Sequence, residues 1–161
     1  MSVKLAETQT PSKSRYPGLI QAGECMGEIR VDVTLVNTFD EALLRRGQIR
    51  ADEVRQCQVT ALVDTGAVRA CVPADIVKQL GLATTGRRLA TYADGRSEAV
   101  DVTEPVRFVI MDRDTVESAL VLGDEVLIGQ LTLEGTDLWA DCKGQRLVPN
   151  PAHPDEPAFR V

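Results

Sequence analysis

Histidine is almost absent from this chain, with a single copy, His153, in 161 residues. A serine or cysteine nucleophile activated by histidine would depend on that one residue, and zinc sites built on several histidines cannot be assembled. His153 lies in the proline-rich run Asn150-Pro151-Ala152-His153-Pro154, which reads as an exposed tail with a solvated ring. Aromatic residues make up only 4%, too few for a base-stacking platform or an aromatic cage, so aliphatic packing must carry the core. Positive charge is also in deficit. With 18 Lys+Arg against 24 Asp+Glu the net charge is −6, and no basic run is dense enough to track a phosphate backbone. Nucleic acid and membrane are therefore not expected partners. No apolar run approaches the roughly 18 residues of a membrane span, and the N-terminal stretch lacks the apolar core of a secretory signal. The four cysteines, Cys25, Cys57, Cys71 and Cys142, contain no C-x-x-C pair, which removes zinc knuckles and thioredoxin-type redox motifs. Buried free thiols and a cytoplasmic location are expected.

What remains is an ordinary globular composition at 17.5 kDa, enough for one domain with one core. Residues 1–25 have little apolar periodicity and read as a flexible leader, residues 26–150 as the domain, and residues 151–161 as an exposed tail. Apolar and polar positions alternate from Ile29 to Leu35, the two-residue period of a half-buried strand. A short helix over 40–46, with Asn37 or Thr38 as N-cap and Gly47 as stop, opens a polar insertion that runs to about residue 53. A second strand over 54–63 ends abruptly at Asp64-Thr65-Gly66. Residues 70–72 read as another strand, followed by a helix from Pro73 that Gly81 closes. Extended segments at 87–93 and 96–102 flank Asp94-Gly95, a strong hairpin signal, and the low apolar content of this hairpin predicts that it projects from the body. Strands over 106–111 and 116–122, the segment 126–129, a helical turn through Leu131 and Leu133, and a last hairpin complete the chain. About eight strands and one or two short helices define a mainly β barrel or sandwich.

Asp64 stands apart from the other carboxylates. It follows Ala61-Leu62-Val63 directly and precedes Thr65-Gly66-Ala67 and a further apolar stretch. A carboxylate between two buried strands must be hydrogen-bonded or perturbed, because leaving it ionised and unpaired is costly. Gly66 lets the backbone turn tightly, and Thr65 supplies a hydroxyl. The hairpin lies about thirty residues further on, and the apolar-apolar-Gly segment Leu127-Ile128-Gly129 about sixty.

In this order and context the sequence resembles the retropepsin-like aspartic proteases, the group of the retroviral proteases and small bacterial relatives. Residues 61–67 are similar to their catalytic loop, and Tyr92-Ala93-Asp94-Gly95 falls where their flap lies. Val126-Leu127-Ile128-Gly129 is similar to the segment that supports the loop, and the resemblance covers about residues 26 to 150. It implies a single-lobe closed β-barrel acting as a symmetric homodimer, with Asp64 of each subunit as the catalytic residue. Thr65, Gly66 and Ala67 would support the loop, and peptide or protein would be the substrate. No metal and no organic cofactor is implied. Aspartic proteolysis needs two carboxylates about 3 Å apart that share one proton, yet only one such loop occurs in the chain. The second carboxylate is therefore expected from a second subunit. The insertion over residues 37–53 and the absence of a glycine run at the hairpin tip depart from the viral pattern. Gly129 is read as structural, a place of close backbone approach. The rival reading keeps the scaffold, the hairpin and the dimer for a peptide-binding or regulatory module that does not cleave.

Overall fold

The structure, a computed structural model, describes residues 27–159 and Val161; the leader, including Cys25, lies outside the described residues. Nine strands are present among them: β1 (Ile29–Asn37), β2 (Gln56–Val63), β3 (Cys71–Val72), β4 (Thr84–Thr91), β5 (Ser97–Ile110), β6 (Arg113–Val121), β7 (Leu127–Ile128), β8 (Leu138–Asp141) and β9 (Arg146–Pro149). Three short α-helices, α1 (Thr38–Arg45), α2 (Ala74–Gln79) and α3 (Gln130–Thr136), and one 3-10 turn (Ala51–Glu53) join them.

The mainly β expectation holds, and the sheet closes. Strands run in the order β1-β2-β7-β3-β6-β5, and β5 pairs back to β1 with Leu35 opposite Phe108. Six strands thus form a barrel with no free edge, which removes a site of unwanted strand pairing. Its interior is almost wholly aliphatic, as the scarcity of aromatics requires. Val33, Leu35, Val72, Leu80, Ile110, Ile128, Leu133 and Leu138 are fully buried around Phe108.

The seventh strand of this sheet, β4, stays outside the ring and pairs only with the first part of β5. The hairpin is exposed along most of its length, with Leu89 at 70% exposure, so its projection is as expected. The strand boundaries are not. Residues 96–102 and 106–111 are expected as separate strands but form one, β5, fourteen residues long. The apparent break at Thr103-Glu104-Pro105 is a bulge, with the register against β6 shifting between Val102 and Pro105. Proline has no N–H for the ladder, which suits a bulge. The buried Thr103 hydroxyl accepts from the Ala119 N–H at 3.0 Å, which satisfies a donor that the shifted register leaves over.

The polar insertion is tied down by buried polar groups that the alternation does not announce. Asn37 caps α1, its Oδ1 accepting from the N–H groups of Phe39 and Asp40, while its Nδ2 donates to the Leu80 carbonyl at 2.8 Å. Asp40 is buried and accepts from the backbone N–H of Arg55 at 2.9 Å and from its Nε and Nη2 at 2.8 Å each. The Arg55 guanidinium lies over Gly81, where φ is +62° and an added Cβ would meet Nη1 at 1.7 Å.

The carboxy-terminal stretch is exposed but anchored. Arg113, buried on β6, donates to the carbonyls of Asp137 at 2.8 Å and His153 at 2.6 Å. Asp137 accepts from Asn150 Nδ2 and from the Ala158 N–H, and His153 Nδ1 lies 2.8 Å from its Oδ2. The expectation of a merely solvated His153 missed this contact. Cys57 and Cys71 are buried free thiols, whereas Cys142 is disulfide-bonded, contrary to the expectation of free thiols throughout. No helix of the described residues is long and apolar enough to cross a membrane.

Two stability predictions follow from these anchors. The Arg55 guanidinium holds the Asp40 carboxyl below the usual carboxylate range, so its stabilisation is present above that range and is lost as pH falls through the lowered value. Asp40→Asn should cost about 2 kcal/mol at neutral pH, a figure already discounted for the half-exposed arginine, and the gap should close below about pH 4 in urea titrations. Arg113→Ala strands the carbonyls of α3 and the tail. Limited proteolysis should then cut within residues 150–159, and stability should drop by about 3 kcal/mol.

Candidate active site

Asp64 sits where β2 leaves the barrel, and its placement is set by main-chain contacts on both sides. Strand β7 is inserted between β2 and β3, parallel to the first and antiparallel to the second. The two arms of the Asp64 loop therefore straddle the segment that ends at Gly129. The Asp64 N–H donates to the Ile128 carbonyl at 2.9 Å, and the Leu62 N–H donates to the Val126 carbonyl at 2.9 Å. Within the loop, the Gly66 N–H donates to Asp64 Oδ1 at 2.9 Å and the Ala67 N–H donates to the Asp64 carbonyl at 3.1 Å. The carboxyl is thus oriented by its own loop while Asp64 remains only half-buried.

The outgoing arm is fixed by α3. The first N–H groups of a helix have no partner inside it, and Gly129 at the N-cap offers no side-chain hydrogen bond. The loop supplies the partners: the Gln130 N–H donates to the Ala67 carbonyl at 2.9 Å and the Leu131 N–H to the Val68 carbonyl at 3.0 Å. Gln130 adds a further contact, its Nε2 donating to the Thr65 carbonyl at 2.9 Å. Loop and helix satisfy each other's main chain, which requires them to touch. Gly129 is the point of contact, since a Cβ there would lie 2.7 Å from the Arg69 carbonyl oxygen and 2.9 Å from that of Ala67. Its φ of −95° is open to any residue, so close approach alone demands glycine.

The expected residues fall into two groups. Asp64, Thr65, Gly66 and Ala67 on the loop, and Leu127, Ile128 and Gly129 behind it, form one bonded unit. Tyr92, Ala93, Asp94 and Gly95 form the tip of the projecting hairpin, which is a separate piece. The tip turn is closed by the Gly95 N–H donating to the Tyr92 carbonyl, with Gly95 at φ +85°. Asp94 accepts from the N–H and Nε of Arg96, and the Arg96 guanidinium lies 5.4 Å from the Tyr92 ring centroid. Tyr92 donates its hydroxyl to Glu98, which holds the phenol above its usual range. No hydrogen bond among the described residues joins this tip to Asp64. Burial pushes the Cys71 thiol on β3 up, and the Asp64 and Glu117 carboxylates add to that effect.

Sequence reasoning missed Gln130 and Glu117. Gln130 is a polar residue between Gly129 and Leu131, where an apolar run is interrupted. That interruption was the available signal. Glu117 carries none, because Val116 beside it is exposed and either face could have been the inner one. No group of three or more His, Cys, Asp or Glu placed to hold a metal ion occurs among the described residues. No protein-family model matches the chain, and no curated protein matches it.

The close approach at Gly129 can be tested directly. Gly129→Ala must displace backbone on one side or the other, and the expected cost is about 1 to 3 kcal/mol in chemical denaturation. Hydrogen exchange should quicken at the N–H groups of Asp64, Gln130 and Leu131. Unchanged exchange at those three would show that the loop does not lean on this contact.

Proposed function

We propose that the chain is an aspartic endopeptidase whose site is completed by Asp64 of a second copy across a two-fold axis. The observation that carries this reading is the single carboxylate at the end of β2. It is half-exposed and oriented by a loop whose backbone is pinned from both arms. Rigid placement of a lone carboxyl has little use for solvation and much use for chemistry that demands a fixed distance to a second one.

The chemistry would run on the carboxyls alone. Of the pair, the ionised Asp64 takes a proton from a water molecule as that water attacks the peptide carbonyl, and the protonated one donates to the carbonyl oxygen. The Gly66 N–H on Oδ1 fixes the plane of each carboxyl before substrate arrives. Thr65 Oγ1 has no hydrogen bond among the described residues, which leaves it available for the partner loop. Three residues further along the same loop, Val68 is an apolar side chain 60% exposed. The substrate would lie extended between loop and hairpin, held through its backbone as an added strand, with side-chain pockets setting preference.

Purified protein and Asp64→Asn, assayed on a diverse peptide library across pH and protein concentration, test the reading. Wild type should cleave, with activity rising faster than linearly with concentration where the dimer is partly dissociated. Asp64→Asn keeps the shape and should lose at least about 10³-fold in kcat/KM. Equal cleavage by both proteins, or full activity in a demonstrated monomer, would refute it. Peptide binding by both without cleavage by either would make the chain a binding module.

A further inference from the structure

Behind the Asp64 loop lies a carboxyl group that the proposed reaction does not use. Glu117 belongs to the row of β6 side chains that faces α3. Arg113 reaches the carbonyl end of that helix, Thr115 lies against Gly135 so closely that a Cβ there would meet its Oγ1 at 2.1 Å, and Glu117 Oε1 accepts from Thr132 Oγ1. The other oxygen, Oε2, is buried and has no hydrogen-bond partner among the described residues. An ionised carboxylate with one oxygen in that position is costly, and a neutral carboxyl relieves most of the cost. Burial accordingly pushes Glu117 above the usual carboxylate range; the Thr132 hydroxyl, the Ala70 N–H and the Arg69 guanidinium oppose the shift without cancelling it.

The groups around Glu117 are few. From the arm after the Asp64 loop come Arg69 and the Ala70 N–H, and from α3 the non-titrating Thr132. Its register partner on β5 is Val106. Cys71 on β3 responds to both Glu117 and Asp64, so the two carboxyls act on one thiol. The hydrogen-bond partner of Glu117, Thr132, belongs to the helix that supports the loop. Ala70 closes the outgoing arm, and Thr132 lies two residues past Gln130, which holds Thr65 and Ala67.

The geometry points to Glu117 as a proton-bearing positioning residue: neutral, it braces β6 against α3 and the outgoing arm, and its ionisation loosens that brace and sets the alkaline limit of the Asp64 site. The consequence for activity rests on the peptidase reading; the structural half does not. An ionised Glu117 would leave an unpaired buried charge between β6 and α3, and it would add a second negative charge near Asp64.

The test compares wild type with Glu117→Gln, which keeps the shape and stays neutral, and with Glu117→Ala. In the folded chain Glu117 keeps its proton at pH values where the unfolded chain has released it, so wild-type stability should fall as pH rises from the ordinary carboxylate range. That fall should be missing from the urea midpoints of Glu117→Gln. In peptide assays the alkaline limb of kcat/KM should move to higher pH in Glu117→Gln, whereas Glu117→Ala loses activity at every pH. Superimposable stability–pH curves for wild type and Glu117→Gln would overturn the assignment of the proton. Identical alkaline limbs despite different stability curves would overturn the link to the site. If no variant cuts any peptide at any pH, the peptidase reading falls on its own, and the stability curves still decide whether Glu117 carries the proton.

Discussion

The structure around Asp64 depends on one close approach, that of the backbone at Gly129 to the backbone of residues 67–69. Everything nearby can be traced to it. Because no side chain stands between the two segments, the carbonyls of Ala67 and Val68 come within reach of the first N–H groups of α3, which a short helix cannot satisfy for itself. The loop thereby gains two anchors that no sheet supplies, and the helix gains a start without a capping side chain. With β7 held between β2 and β3, the loop cannot shift along either strand without breaking ladder bonds on both sides. A residue that must hold one direction in space is well placed on such a unit.

Barrel closure solves a different problem. The return of β5 to β1 closes a six-stranded ring around an aliphatic interior and leaves it without an open edge for unwanted strand pairing. It also leaves β5 longer than the barrel needs. The surplus, before the bulge at Thr103–Pro105, carries β4 outward as a polar hairpin. One strand is thus half core and half projection, and the two halves differ in what they can do. The inner half is held by β1 and β6 on either side, while the outer half pairs mainly with β4 and carries mostly exposed side chains. Motion is cheaper in the outer half for that reason.

Much of this was legible in the residues. Strict alternation located β1 and β2, Gly81 marked the end of α2, Asp94-Gly95 the hairpin turn, and the abrupt stop at Asp64 the loop. The closeness demanded of Gly129 could be read as a requirement for approach, although not against which atoms. Other features were not legible because they depend on distant partners. Pro105 reads locally as a strand break, and only the Thr103 side chain and the shifted register against β6 make it a bulge. Asp40 reads as a helix-start acid, and its burial depends on Arg55. Arg113 and Glu117 sit in a strand whose inward face is defined by a helix that comes later in the chain. His153 reads as solvated because a proline-rich tail has no pattern to say that it is anchored to Asp137. Sequence periodicity reports which face is apolar; it says nothing of polar groups that are buried because a partner waits for them.

Under the proposed pairing, one constraint remains, and it concerns symmetry. A two-fold axis that brings two Asp64 carboxyls together also brings each residue near it next to its own copy. Residues on that axis must tolerate themselves as neighbours. Asp64 does so only by sharing a proton, which a pair of rigidly held carboxyls favours and a mobile pair would avoid by separating. Thr65, with a hydroxyl that can both donate and accept, and Val68, which is exposed and apolar, are residue types that can meet their own copies without penalty. A lysine or arginine there would not be. The charged residue of this segment, Arg69, instead turns to β6, where its Nη1 reaches the Ser118 carbonyl. The rigidity that Gly129 imposes on the loop is therefore the condition under which a single carboxylate per chain could be made to work in pairs.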